Sequence, residues 1–263
     1  MIDEILIAKR REVEEAKERL PLEELMRRVS GHLAERSLRR AITQPGKLCL
    51  IAELKRKSPS RGMLRERFDP VSLAQQLEEA GASALSVLTD EHFFGGHLDF
   101  LKDVKSFVDV PVLRKDFIID PYQVYEAAWY QADAVLLIVG ALTEEALQSC
   151  LVAADTLGMD ALVEVHHEDE LKTALGLGAG LLGLNHRDLK TFRLQPDVAA
   201  RLVPKIPQGK CVVAESGIQT TQDLQRLRAL GVQAVLIGEA LMVAPDPAAK
   251  VHELFDGLWS SCP

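Results

Sequence analysis

At 263 residues, 47% of them hydrophobic and 27% charged, the chain suits one large α/β domain or two small ones and is too apolar for a disordered protein. Its 39 acidic against 31 basic residues give a net charge of −8, which argues against general nucleic-acid binding, so a local knot of basic residues is expected to meet a small anion. Cys49, Cys150, Cys211 and Cys262 lie far apart without CxxC spacing, the N-terminal MIDEILIAKRREVEEAKERL is too charged for a signal peptide, and no apolar run is long enough for a membrane span, so reduced thiols in a cytoplasmic protein are expected.

In chain order, Ile2, Ile5, Leu6, Val13, Ala16 and Leu20 recur at helical spacing, and Pro21 opens a second short helix, PLEELMRRV. Residues 1–46 are therefore expected to form an amphipathic helical extension packed on the main body. From Lys47 onward, apolar runs recur as LCLIAEL, ALSVLT, VPVLRKDF, DAVLLIV, DALVEVH, GLLGLN, CVVAES and QAVLIG. Helical stretches alternate with them, from DPVSLAQQLEEAG to DPAAKVHELFDGLW. Strands apolar throughout and separated by helices indicate a parallel sheet covered on its outer side, and eight such units favour a closed (β/α)8 TIM barrel over an open sheet. The expected division is an extension at 1–46 and a barrel at 47–263, a single domain overall.

Catalytic groups of such barrels stand at the C-terminal ends of the strands. Here Glu53 and Lys55 close strand 1, Lys115 strand 3, Glu164 strand 5, Asn185 strand 6, and Glu215 with Ser216 strand 7. Side chains alternate across a strand, so Ile51, Glu53 and Lys55 share a face, as do Leu113, Lys115 and Phe117, and likewise Leu162 and Glu164. A charge turned outward into the strand–helix layer would be costly to desolvate, so these groups are expected to point into the mouth. Three carboxylates and two ammoniums converging there exceed what stability requires.

The loops after strands 7 and 8, ESGIQTTQDL and IGEALM, each offer a glycine ahead of a helix, the usual phosphate position of this architecture. Lys55 and Ser58 stand beside them. Phe93, Phe94 and Phe117 either wall a space for an aromatic ring or simply pack, and Arg61, Arg65 and Arg67 form either a solvated flap or a lid. His166 and His167 are adjacent rather than at metal-ligand spacing, and no serine sits in a nucleophile elbow, so neither a metal site nor a serine hydrolase is expected.

The stretches AELKRKSPS, VLTDEHFFGG, VLRKDFIIDPYQVYEA, ADAVLLIV, LVEVH, GLNHRDLKTF, AESGI and LIGEALM, in this order and spacing, resemble the indole-3-glycerol-phosphate synthases of tryptophan biosynthesis over essentially the whole chain. The N-terminal ILIAKRREVEEAKERLPLEEL is similar to that family's helical extension. The resemblance implies conversion of 1-(2-carboxyphenylamino)-1-deoxyribulose 5-phosphate into indole-3-glycerol phosphate, with release of CO2 and water and no cofactor or metal. It implies Lys115 as the general acid at the substrate's ketone oxygen, and Glu164 in proton transfer, helped by Asn185. Glu53 and Lys55 would serve the later dehydration and orient the substrate, with either Lys55 or Lys115 protonating the departing hydroxyl, and Glu215 would hold the lysine network. Ser216, Gly217, Gly238 and Glu239, with Lys55 and Ser58, look like the phosphate cradle, the Glu239 side chain pointing away. Arg187 resembles a substrate-side basic residue or pairs with a nearby carboxylate, and His186 stands where the family commonly has Asn. Phe94 and Phe117 would contact the substrate's ring.

A sugar-phosphate isomerase on a similar barrel would need an acid/base pair such as a Cys at strand 1 and an Asp at strand 6. Cys49 lies four residues below Glu53, roughly 13 Å down the strand, and strand 6 ends in Asn185. A Schiff-base aldolase using Lys115 and a non-catalytic phosphate-binding barrel are the other readings, and the full set of charged mouth residues argues against the last. The partner implied is a small phosphorylated substrate. Nucleic acid and membrane are not expected, and nothing in the sequence specifies contact with other enzymes of the tryptophan pathway.

Overall fold

Among the described residues, eight short apolar strands alternate with helices, several of which begin at a recognisable cap, and this alternation determines the architecture. Asp69, Asp120 and Asp246 each precede a proline at the first helical position, and each carboxylate accepts from backbone N–H groups of the turn it opens. Thr220 and Asp223 close a reciprocal capping box at the helix Thr221–Ala229. The computed structural model describes residues 2–31, 33–191 and 193–259; Cys262 lies outside them.

The strands are β1 (Cys49–Leu54), β2 (Ala84–Leu88), β3 (Val112–Lys115), β4 (Ala134–Ile138), β5 (Asp160–Val165), β6 (Leu181–Asn185), β7 (Cys211–Glu215) and β8 (Ala234–Ile237). Each pairs in parallel with its sequence neighbours, and β1 pairs with β8 to close the ring. This is the (β/α)8 TIM barrel expected from the alternation.

Parity sorts the side chains as anticipated. Cys49, Ile51, Leu113, Leu136, Leu162, Leu181, Val213 and Leu236 fill the barrel interior. The intervening Leu50, Ala52, Leu85, Val135, Val163, Leu182, Ala214 and Val235 meet the helices in a separate apolar layer. Because Glu53, Lys115, Glu164, Asn185 and Glu215 share parity with the interior set, they form the topmost inward layer.

The N-terminal helices touch both ends of the barrel. The helix α1 (Ile2–Arg19) packs on the mouth side, where Lys9 pairs with Asp90 after β2 and Asp116 after β3. The helix α2 (Leu22–Val29) buries Leu25 and Val29 in the outer layer. A third helix, α3 (Leu38–Ile42), lies at the opposite end: Leu38 and Ile42 are fully buried in the interior cluster, and Ser37 and Thr43 bond to Asp160 and Cys211, the first residues of β5 and β7. It plugs the barrel floor with apolar side chains. After β1 the chain makes a small antiparallel ribbon, Lys57–Ser58 with Gly62–Met63.

Candidate active site

Above the strand ends lie two adjoining cavities of about 740 and 540 Å³. Both are bordered by Glu53, Lys55, Lys115, Arg187, Ser216 and Glu239. The first adds an apolar wall of Phe94, Phe117, Leu136, Ile138 and Leu189. The second adds the backbone of Gly217 and Gly238 and the Glu215 side chain. Charged groups therefore stand at the junction of an apolar compartment and a backbone-lined one. Such a division suits a substrate with an aromatic ring at one end and an anion at the other.

Lys115 is the hub. Its Nζ donates to Glu215 Oε2 at 2.6 Å and lies 3.6 Å from Glu164 Oε2. Burial alone would depress this ammonium, but Glu215, Glu164 and Glu53 outweigh it and hold the pKa above the ordinary lysine value. Glu53 is buried too, and Lys55, which donates to its Oε2, together with Lys115 keeps it ionised against that burial. Three carboxylates here share two ammoniums. Glu164 faces both Lys115 and His166, so its pKa falls despite burial. Glu215 has Lys115 alone, and burial reinforced by the nearby Glu164 and Glu53 pushes it up. One carboxylate of the set is thereby poised to carry a proton.

Two glycines make this packing possible. A Cβ at Gly183 of β6 would stand 2.2 Å from Glu215 Oε1, and one at Gly238 would stand 2.0 Å from Glu53 Oε2. Gly238 thus leaves room for a carboxylate, beyond the backbone role expected of it. Ser216 and Gly217 are consecutive left-handed residues, with φ of 66° and 74°. For Ser216 this is a strained conformation of the kind that clusters at ligand sites.

Glu239 departs from expectation. Its carboxylate does not point away but borders both cavities, 2.9 Å from Arg61 Nη2 and 3.4 Å from Arg187 Nη2. Two guanidinium groups neutralise it. Arg187 thus has the carboxylate partner weighed for it. Of the loop arginines, Arg61 reaches Glu239, and Arg65 donates to the carbonyls of Met242 and Ala244, so the loop after β1 is fastened to the loop after β8.

Ser58 is buried and lines the apolar cavity with Pro59. Arg56 is exposed, and Lys57 donates to the His92 carbonyl at 2.7 Å. The Phe94 and Phe117 rings stand 6.0 Å apart on the same wall, whereas Phe93 stacks edge-on against His92. Asn185 Oδ1 accepts from the Arg187 backbone N–H at 2.9 Å. His186 is buried, its Nδ1 2.9 Å from the Glu215 carbonyl, and its Nε2 accepts from the Ala199 N–H. Those partners call for a neutral ring, and burial accordingly lowers its pKa.

The family model described as indole-3-glycerol phosphate synthase matches residues 2–254. The chain belongs to the indole-3-glycerol phosphate synthase family. Its members are carboxy-lyases of tryptophan biosynthesis. The indole-3-glycerol phosphate synthase of Roseiflexus castenholzii is 45% identical over 262 residues, covering 97% of each chain. That of Dehalococcoides mccartyi strain CBDB1 is 54% identical over 208 residues, covering 78% of this chain and 80% of its own. The 3-hexulose-6-phosphate synthase of Salmonella typhimurium superposes with a TM-score of 0.65 at 16% identity, covering 82% of this chain and all of that one, a likeness of fold alone.

Around the indole-3-glycerol phosphate synthase motifs lie charged groups that reading along the sequence passes over. Lys9 fills a gap in the apolar stripe of α1 and is 3% exposed, a charge where the periodicity calls for a hydrophobe. Asp116 and Arg114 face outward from β3 into the helix layer, where a charge is costly to desolvate. The cost is met by a full set of partners: Arg114 bonds Thr89, Asp116, Glu126 and the Gln123 carbonyl, and Asp116 also holds Thr89 and Lys9. His166 bridges Glu164 and Glu170. Among the described residues no helix is long and apolar enough to cross a membrane.

Proposed function

We propose that this chain converts 1-(2-carboxyphenylamino)-1-deoxyribulose 5-phosphate into indole-3-glycerol phosphate, CO2 and water. The observation that carries the reading is the buried Lys115 ammonium between Glu164 and Glu215, at the junction of an apolar and a backbone-lined cavity, in a chain of this family. Family membership supports the activity itself.

The substrate's ring lies against Phe94 and Phe117, and its phosphate lies by the backbone of Gly217 and Gly238, with Lys55, Ser58 and Ser216 beside it. Arg187 meets the substrate's negative charge, and Glu239 steadies Arg187 and Arg61. As the carboxylate-bearing ring carbon bonds to the ketone carbon, the carbonyl electron pair moves to oxygen, which takes a proton from Lys115. The ring–carboxylate bond then breaks, its electrons restore aromaticity, and CO2 leaves. Glu164, helped by Asn185, moves protons around condensation and hydroxyl loss. Glu53 and Lys55 serve the dehydration: the hydroxyl takes a proton from Lys55 or Lys115 and departs as water, the proton on the neighbouring ring carbon passes to a mouth carboxylate as the indole double bond forms, and Glu215 holds Lys115 in place.

The same reading takes residues 1–46 as an extension of the 47–263 barrel within one domain, supported by Lys9 at the mouth and α3 at the floor. The test is incubation with the substrate while indole fluorescence is followed, with and without a metal chelator. Fluorescence that rises equally in both supports the proposal; no rise with intact, folded protein overturns it.

A further inference from the structure

Behind Glu164, away from Lys115, stands a second buried charge system. His166 is 3% exposed, and its Nε2 faces Glu164 Oε1 at 3.3 Å. Among the described residues neither of those two buried atoms makes a hydrogen bond, so the 3.3 Å approach to each other is the contact between the two groups. On its other side, Nδ1 lies 3.2 Å from Glu170 Oε2, and the same oxygen accepts from the His166 backbone N–H at 2.6 Å. Glu170 belongs to the helix Glu168–Gly176 and turns in toward β5 across Gly140, where a Cβ would stand 2.7 Å from its Oε1. The other charged groups facing His166 are distant or peripheral: the Arg201 guanidinium reaches its backbone carbonyl, and the His167 ring centroid is 6.2 Å away.

We propose that His166, braced by Glu170, is a positioning residue for Glu164: it engages Oε1 and so leaves Oε2 aimed at Lys115 and the substrate. This rests on the proton-transfer role proposed for Glu164. The geometry has a chemical consequence as well. Set between two carboxylates, the imidazole binds a proton tightly despite its burial. The resulting cation adds to Lys115 in keeping Glu164 ionised against its burial. Gly140 and Glu170 then serve the reaction only through His166.

The two amide replacements separate orientation from packing. Gln places its amide nitrogen near the position of Nε2 and can still donate to Glu164, whereas Asn reaches only as far as Nδ1. In His166→Asn, kcat should fall by about 10²-fold, as misplaced catalytic groups do, with KM nearly unchanged. Loss of the cation should raise the Glu164 pKa and move the acid limb of the kcat profile up by about one pH unit. His166→Gln should recover most of kcat while keeping the shifted limb. Glu170→Gln and Gly140→Ala should each shift the limb in the same direction by less.

Wild-type kcat and pH profile in both His166 variants would overturn the inference. So would equal loss in the two with an unmoved limb, which marks a packing residue. If His166→Asn fails to fold by near-UV circular dichroism, Glu170→Gln decides, and an unmoved limb there counts against the proposal. Glu164→Gln separates the two levels. Retained turnover in that variant removes the Glu164 role and this inference with it, whereas lost turnover beside wild-type His166 variants removes this inference alone.

Discussion

The Lys115 ammonium donates to Glu215 at 2.6 Å from a position on β3, across the barrel mouth from β7. A cation anchored to the opposite wall is held in place, so its Nζ stays at one point above the strand ends. Lys115→Ala is therefore expected to leave substrate binding nearly intact and to lower kcat by about 10²–10⁴-fold, the usual contribution of a general acid. Steady-state kinetics on the purified variant decide: a KM increase with normal kcat would mean that Lys115 binds rather than protonates.

Gly183 and Gly238 make a sharper test because neither carries a functional group. Their added methyl groups would meet Glu215 at the flexible end of its side chain, and Glu53 along its whole length down to a Cβ 3.0 Å away. Gly183→Ala is expected to fold, since a displaced carboxylate absorbs the clash, whereas Gly238→Ala also crowds the Glu53 Cβ and should lose some stability as well. Gly183→Ala should cost about 10-fold or more in kcat by loosening Lys115. Gly238→Ala should raise KM as well, because its backbone faces the proposed phosphate position. Equal, purely thermal effects in the two would argue that the glycines serve packing alone.

Much of this was legible in the sequence, for reasons visible at particular residues. Alternation is a geometric property of strands, so Ile51 with Glu53, Leu113 with Lys115, and Leu162 with Glu164 announce one face whatever the tertiary detail. The direction of the Glu239 side chain is not legible along the chain, because its neutralisation depends on Arg61 and Arg187, which arrive from two other loops. Arg114 and Asp116 bear charge in the helix layer because their partners offset the desolvation cost, and those partners, Thr89, Glu126 and α1, lie elsewhere in the chain. Lys9 left a trace, a charge in an apolar stripe, but its targets lie far along the chain. The helix α3 is five residues long, too short for periodicity to reveal.

Lys9 links α1 to the strand end that carries Lys115. Asp116 is the next residue after Lys115, and burial, which would raise its pKa, is outweighed by Lys9 and Arg114 so that it stays ionised. Lys9→Met keeps the length and apolar stem but leaves Asp90 and Asp116 short of a cation. Removing one partner from a buried pair costs about 3–5 kcal/mol, so urea denaturation should show a loss of that order. Activity should fall further than the folded fraction does, because the Lys115–Asp116–Phe117 segment loses a brace. Denaturation unchanged from wild type would show that α1 is not a structural part of the mouth.

The His166 bridge also predicts a pH signature of stability. Burial pulls its pKa down, but Glu164 and Glu170 raise it from 6.5 to about 10. A folded-state pKa above the unfolded one means that folding takes up a proton, so this contribution is complete below the unfolded value and is lost as pH rises through the folded one. The Tm advantage of the wild type over His166→Asn should thus be largest near about pH 6 and shrink steadily toward about pH 10. Comparison with the variant cancels the thiols and tyrosines that titrate over the same alkaline range. Thermal melts at intervals across that window measure the gap directly. A gap independent of pH would mean that the ring is neutral in the folded protein and that Glu164 owes its ionisation to Lys115 alone.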